Sequence, residues 1–317
     1  MERTFQDQVV VITGAGGSLG RAYVTEIGRR GGLIVANDVG SDMLGRGSSG
    51  DAVDQIVSEI RAAGGTAIAN YDSVASEAGG EAIFRAAIDN FGRVDALINN
   101  AGNIRIAPFE ETTAEDVSSL LAIHLEGAYN VTRPIFRQMK KAGYGRILFT
   151  SSGSAFGNPN QSAYAAAKAG MIGLMNSLSI EGEPHGVLCN AILPASATRM
   201  IDALLPENLT SVADSTTAFR EALQPQNVAP LALYLISREC TSTHAAFSAV
   251  GNRFAQVFLG VGDGWLADRG EVPTVEDIAI NFDRICSTVG FAIPASMVDE
   301  YRMIGQAVEI AARLTKS

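Results

Sequence analysis

Tyr164 and Lys168 stand four residues apart in Ser-Ala-Tyr-Ala-Ala-Ala-Lys, a stretch whose alanine content predicts a helix with both side chains on one face. A phenol is neutral near pH 7, but an ammonium one helical turn away favours its ionised form and draws its pKa toward the range of a proton-transfer catalyst. The pair reads as an acid/base device. The spacing alone is weak, because a tyrosine and a lysine four apart also occur on ordinary solvated helix faces.

The elements that would position such a pair begin at the N-terminus. Val9-Val10-Val11-Ile12 is a short apolar run that flows into Thr13-Gly14-Ala15-Gly16-Gly17-Ser18-Leu19-Gly20 and then a helix-compatible segment from Arg21 to Arg30. A buried strand, a glycine-rich turn and a helix in that order bring backbone N–H groups and a positive helix end against a phosphate, which predicts a dinucleotide site. The spacing departs from G-x-G-x-x-G, because Leu19 falls where the third glycine would be. The next strand, Leu33 to Asn37, ends at Asp38, 24 residues past Gly14. A carboxylate there accepts from the adenosine ribose hydroxyls and repels a 2′-phosphate, favouring NAD over NADP; an isolated aspartate can equally cap a turn.

With these residues in place the chain resembles the short-chain dehydrogenase/reductase family. Thr13 to Gly20 is similar to its cofactor loop, with Ser18 where the middle glycine usually sits, and Asn99-Asn100-Ala101-Gly102 is similar to its segment behind the cofactor. Tyr164 and Lys168 match its catalytic pair, and Pro194 resembles the proline that opens its nicotinamide-side loop. The four motifs cover roughly the first 200 residues in the family's order. A closer likeness lies in Asn37-Asp38-Val39-Gly40 with the Gly/Ser-rich insertion to Gly50, in 69–74, in His124-Leu125-Glu126-Gly127 and in Val228-Ala229-Pro230-Leu231. These resemble the (3R)-hydroxyacyl-CoA dehydrogenase unit of peroxisomal D-bifunctional β-oxidation enzymes and its bacterial single-domain relatives.

The resemblance implies reversible alcohol-to-ketone oxidation with NAD. The pyrophosphate would lie at Gly14, Gly16, Ser18, Leu19 and Gly20, the ribose on Asp38, the adenine near Asp72 and Ser73, and the rest along Asn100, Ala101, Gly102 and Pro194. Tyr164 would take the hydroxyl proton while Lys168 holds the phenolate and bonds the nicotinamide ribose. A serine would orient the substrate oxygen. Counting from the strand Gly145 to Phe149 places it at Ser152, and counting back from Tyr164 places it at Ser151. Strand parity fixes which side chain faces the cofactor, whereas a loop absorbs a deletion cheaply, so Ser152 is preferred and Ser151 is left as a neighbouring substrate contact. Where the wider family has an asparagine that relays to the lysine, this chain has His124. A neutral imidazole both donates and accepts, so it can substitute; a satisfied core histidine is the other reading.

Length and composition agree. At 317 residues with 47% hydrophobic content the chain can build one large α/β domain. Apolar runs alternate with helix-compatible stretches, one of them near 113–140, which predicts a doubly wound parallel sheet, a Rossmann-type three-layer sandwich. The expected division is a catalytic domain over 1–265 and a helical extension over 266–317 at a subunit interface of a homodimer or homotetramer. Between Ala195 and Gln226, Met200, Ile201, Leu204 and Leu205 suggest a substrate lid, or else a surface helix pair.

A balance of 24 basic against 34 acidic residues, with three scattered histidines, argues against nucleic acid, an anionic membrane surface or a metal as partner. Arg46, Arg105 and Arg199 are the candidate cations for a CoA ester. Three widely spaced cysteines suit a reducing compartment, and no apolar run approaches a membrane span, so a cytoplasmic protein is expected. The rival readings are a dehydrogenase of a free lipophilic alcohol, such as a hydroxysteroid or terpene alcohol, and a non-catalytic NAD sensor.

Overall fold

The computed structural model describes residues 5–196, 221–267 and 272–314. The apolar runs become strands because they are covered on both faces. All five residues of β1 (Val9–Thr13) and all six of β5 (Gly145–Thr150) are buried, as a parallel sheet between two helical layers requires. The other parallel strands are β2 (Leu33–Asn37), β3 (Thr66–Asn70), β4 (Ala96–Asn99), β6 (Val187–Ala195) and β7 (Ala245–Val250), joined by β8 (Arg253–Val257) in the order β3-β2-β1-β4-β5-β6-β7-β8. Between β7 and β8, Gly251 and Asn252 have φ of 58° and 64°, the left-handed pair that a two-residue hairpin turn needs.

β1 pairs with β2 on one side and β4 on the other, with Val11 opposite Val35 and Leu97. The direction of winding reverses there, so a crevice opens at the carboxyl ends of β1 and β4. The crossovers are α1 (Ser18–Arg29), α2 (Asp51–Ala62), α3 (Glu77–Phe91), α4 (Ala114–Leu121) with α5 (Gly127–Ala142), α6 (Ser162–Gly182) and α7 (Pro225–Ile236). The helix-compatible stretch near 113–140 is helical but not uniform. A π-helical turn, Ala122–Glu126, separates α4 from α5 and carries the buried His124. The wider turn shifts the register of the side chains that follow, a device found most often at functional sites.

The chain forms two compact units, residues 1–256 and 257–317, a division that falls ahead of residue 265. The second unit holds the antiparallel pair β9 (Val261–Gly262) and β10 (Phe291–Ala292), with Phe258 stacked on Phe291 at 5.5 Å, and the helices α8 (Val275–Ile285) and α9 (Met297–Leu314). A capping box between Thr274 and Asp277 starts α8, yet none of its residues is buried. Among the described residues no helix is long and apolar enough to cross a membrane. Met200, Ile201, Leu204, Leu205 and Arg199 lie outside the described residues.

Candidate active site

The crevice is a cleft of about 950 Å³, and Gly14, Asp38, Asp72, Gly102, Ser152 and Tyr164 all line it. The glycine-rich turn closes one end by direct backbone packing. Gly14 has φ +64°, and a Cβ there would lie 2.8 Å from the Ala101 Cα; a Cβ on Gly20 would lie 2.1 Å from the Gly14 carbonyl oxygen. Gly20, one place beyond Leu19, therefore supplies the close approach that the third glycine of the usual spacing supplies. Gly17 caps α1 without a side-chain bond, which leaves the helix's first amides for a ligand in the cleft.

Asp38 stands at the end of β2, where its carboxylate accepts from the Gly16 amide at 2.8 Å and the Gly40 amide at 2.7 Å. Each carboxylate oxygen keeps further lone-pair capacity, which suits ribose hydroxyls and opposes a phosphate. The Asp72 carboxylate accepts from the Asn70 amide group at 2.7 Å, and its carbonyl accepts from Asn37 at 2.8 Å, which fixes the loop that carries Ser73. Asn100 lies behind the glycine turn as a strap: its side-chain amide donates to the Thr13 and Gly14 carbonyls, both at 3.1 Å. The insertion after Gly40 forms a wall of the cleft through Met43 and Gly45. Asp42 accepts from the Leu44 and Arg46 amides, and the Met43 carbonyl accepts from the Ile104 amide at 3.0 Å.

Tyr164 and Lys168 share a face of α6, as the spacing predicts, and both are buried, at 7% and 4% exposure. The Lys168 ammonium donates to the Thr150 carbonyl at 2.7 Å and lies 5.7 Å from the centre of the Tyr164 ring. The electrostatics differ from the expectation that the ammonium holds a phenolate. Burial pushes Tyr164 up to about 12, with a bond from the Ser152 hydroxyl opposing it, and burial alone pushes Lys168 down to about 7. Loss of water disfavours the charged form of both groups in the cofactor-free site.

The two serines have different surroundings. Ser151 is buried, and its hydroxyl donates to the Lys168 backbone carbonyl at 2.8 Å. Ser152 is half-buried, lines the cleft with Tyr164, and accepts from the Ser154 amide at 3.1 Å at the start of the 3-10 turn Gly153–Phe156. Replacing Ser152 by Ala is accordingly expected to cost at least about tenfold more in kcat than replacing Ser151, within the usual worth of positioned polar groups. The reverse ranking in steady-state assays would move the substrate-orienting role to Ser151.

His124 packs edge-on against Tyr164, with ring centres 5.3 Å apart. Its Nε2 lies 2.8 Å from the Asn103 carbonyl, so Nε2 carries the proton. Burial, reinforced by Lys168, pushes its pKa well below the usual histidine range, and the imidazole is neutral. Its Nδ1 is a buried acceptor with no partner among the described residues. The Asn103 Oδ1, Thr150 Oγ1 and Ser196 Oγ are orphaned in the same way, and all four residues line the cleft. Buried polar atoms without partners mark where water or a ligand completes the bonding. Together with the glycine cradle and Asp38, they fit a dinucleotide. Pro194 lines the cleft from the end of β6. Asn103, Thr150 and Ser196 carry no motif and were not among the expected site residues.

A short chain dehydrogenase family model matches residues 8–208. Mouse peroxisomal multifunctional enzyme type 2 is 40% identical over 296 residues, covering 89% of this chain but only 37% of that enzyme. The solved structure of the full-length Drosophila melanogaster enzyme of that name superposes with a TM-score of 0.78 at 28% identity, covering 98% of this chain and 50% of that one. The chain thus spans about half or less of these multifunctional enzymes. A crystal structure of a short chain dehydrogenase from Mycobacterium avium, 32% identical with a TM-score of 0.75, is matched over 98% of its length and 90% of this chain. The chain is an oxidoreductase that belongs to the short-chain dehydrogenase family.

Proposed function

We propose that the protein interconverts a secondary alcohol and its ketone with NAD, the alcohol being a (3R)-3-hydroxyacyl-CoA. The observation that carries this reading is the gathering of Ser152, Tyr164 and Lys168 in the same cleft as the glycine cradle and Asp38, with the tyrosine and lysine one helical turn apart. The substrate class draws support from relatives whose names describe peroxisomal multifunctional enzymes and hydratase-dehydrogenase-epimerases. Gly14 to Gly20 would hold the pyrophosphate, Asp38 the ribose, and Asp72 and Ser73 the adenine side, with Asn100, Ala101, Gly102 and Pro194 backing the nicotinamide half. When bound, NAD supplies the hydride acceptor. Ser152 orients the carbinol oxygen, Tyr164 receives its proton, and Lys168 shares that proton load from beneath. His124, packed edge-on against Tyr164 and with a free Nδ1 acceptor, serves as the positioning group in place of an asparagine.

Asp38 should make NAD preferred over NADP by at least roughly tenfold, and Asp38→Ala should narrow that ratio of kcat/KM. Equal use of the two by wild type would remove the ribose role.

A free lipophilic alcohol is the second reading. It is favoured by Arg105, whose guanidinium is held by Asp116 at 2.5 Å and is not a free cation for a CoA phosphate. Assaying both substrate classes with NAD at pH about 9, where proton release favours oxidation, separates them. Much higher kcat/KM on free steroid or terpene alcohols than on any (3R)-hydroxyacyl-CoA would overturn the acyl-CoA assignment.

The proposed assembly is a homodimer or homotetramer. It is supported by exposed apolar residues of the second unit, among them Val275, Ile280 and Phe282 of α8. A cytoplasmic site is proposed on the three free cysteines, of which Cys189 and Cys240 are buried and Cys286 exposed.

A further inference from the structure

The cleft has an apolar lip that the proton chemistry does not use. Ser152 opens the turn Gly153–Phe156, and Phe156 is 71% exposed although Ser154 and Gly157 on either side of it line the cleft. The segment leaving β4 passes through Asn103 and Ile104, which also line the cleft, and then presents Ile106 and Phe109 to solvent at 40% and 79% exposure. The two segments are joined where the Ala107 amide donates to the Asn160 carbonyl at 2.9 Å. The Phe156 turn is further pinned by the Ser154 hydroxyl donating to Gln161 at 2.7 Å. A single exposed aromatic needs no explanation, but three large apolar side chains on two joined segments beside the cleft mark a ligand surface.

We propose that Ile106, Phe109 and Phe156 form a shelf that receives the hydrocarbon part of the substrate, making Phe109 and Phe156 determinants of chain-length specificity. The proposal rests on the reading of Ser152 and Tyr164 as the site of alcohol oxidation. Local charge decides which end of an acyl-CoA the shelf accepts. Glu110 and Glu111 follow Phe109 directly, and the nearby Arg105 is neutralised by Asp116. A phosphate-bearing end is repelled there, and an uncharged chain is not. Aromatic rings at the mouth also bury apolar area at small entropic cost, because they have only two torsions to fix.

The test is a series of (3R)-3-hydroxyacyl-CoA substrates, from four carbons upward, assayed on wild type, Phe156→Ser, Phe109→Ser and the double variant. Both side chains are exposed, so the variants should fold, and NADH affinity measured by fluorescence should stay at the wild-type value. The expected result is kcat/KM within about twofold of wild type for the four-carbon substrate and a loss of at least about tenfold for chains of twelve carbons or more, the scale of discrimination apolar contacts give. Equal losses at every length would overturn the shelf. So would an unchanged length profile accompanied by a shift in sedimentation, which would make this lip a contact between subunits. If wild type turns over free lipophilic alcohols and no acyl-CoA, the acyl-CoA reading fails by itself. The shelf is then judged by the same criterion on alcohols of increasing apolar size.

Discussion

Tyr164→Phe is expected to lower kcat by about 10² to 10⁴, the usual worth of a positioned acid/base group, while NADH binds with near wild-type affinity. The separation follows from where the phenol sits. Its ring packs with Ile104, Leu120 and Ala163 and meets the His124 edge, and a phenylalanine keeps all of these contacts. Only the hydroxyl is lost, and with it the proton acceptor. Ser152 remains half-exposed and can bond to water, so folding should be little affected. A variant that keeps more than about a tenth of the wild-type rate would remove Tyr164 from the chemistry.

Lys168→Met should likewise abolish turnover, yet stabilise the cofactor-free protein at low pH. Folding lowers the lysine from 10.5 to about 7, because the ammonium is buried without a counter-charge. Between about 7 and 10.5 the unfolded chain holds a proton that the folded chain does not, so unfolding free energy rises with pH across that window. Below about 7 the full cost of burying the charge is present, with a ceiling of about 5 kcal/mol at about 1.4 kcal/mol per unit. Tyr164 acts in the opposite sense at higher pH: the unfolded chain ionises first, and stability falls above about 10. Methionine removes the lysine's cost but orphans the Thr150 carbonyl, worth about 1–3 kcal/mol. The net expectation is a Tm a few degrees above wild type at pH 6, with the advantage gone near pH 9. Identical pH profiles of Tm for wild type and variant would show that the lysine is not buried as a charge.

Much of the site was legible because its parts are carried by local patterns. Strand, glycine turn and helix follow one another within Val9–Arg29, Asp38 ends the next strand, and Tyr164 and Lys168 lie a helical turn apart. Each pattern has a period or a backbone demand that sequence expresses directly. The π-helical turn at His124 has no such signature, since no glycine or proline interrupts 114–126. The downward push that burial gives Lys168 has no signature in the sequence for a related reason. Spacing shows which groups are neighbours, whereas a pKa depends on how much water the fold removes, and that is known only once every layer is in place. Asn103, Thr150 and Ser196 take part through single buried atoms, a form of participation that leaves no mark on a sequence.

The bond from the Ile104 amide to the Met43 carbonyl joins the insertion to the far side of the cleft, and it also sets a clock. Ile104 is buried, so its N–H meets solvent only when that bond breaks. Its exchange with deuterium therefore counts openings of the wall residue by residue, on a timescale that turnover measurements average away. One amide resonance, followed as a function of added nucleotide, would report how often the cleft is open and how far a ligand holds it shut.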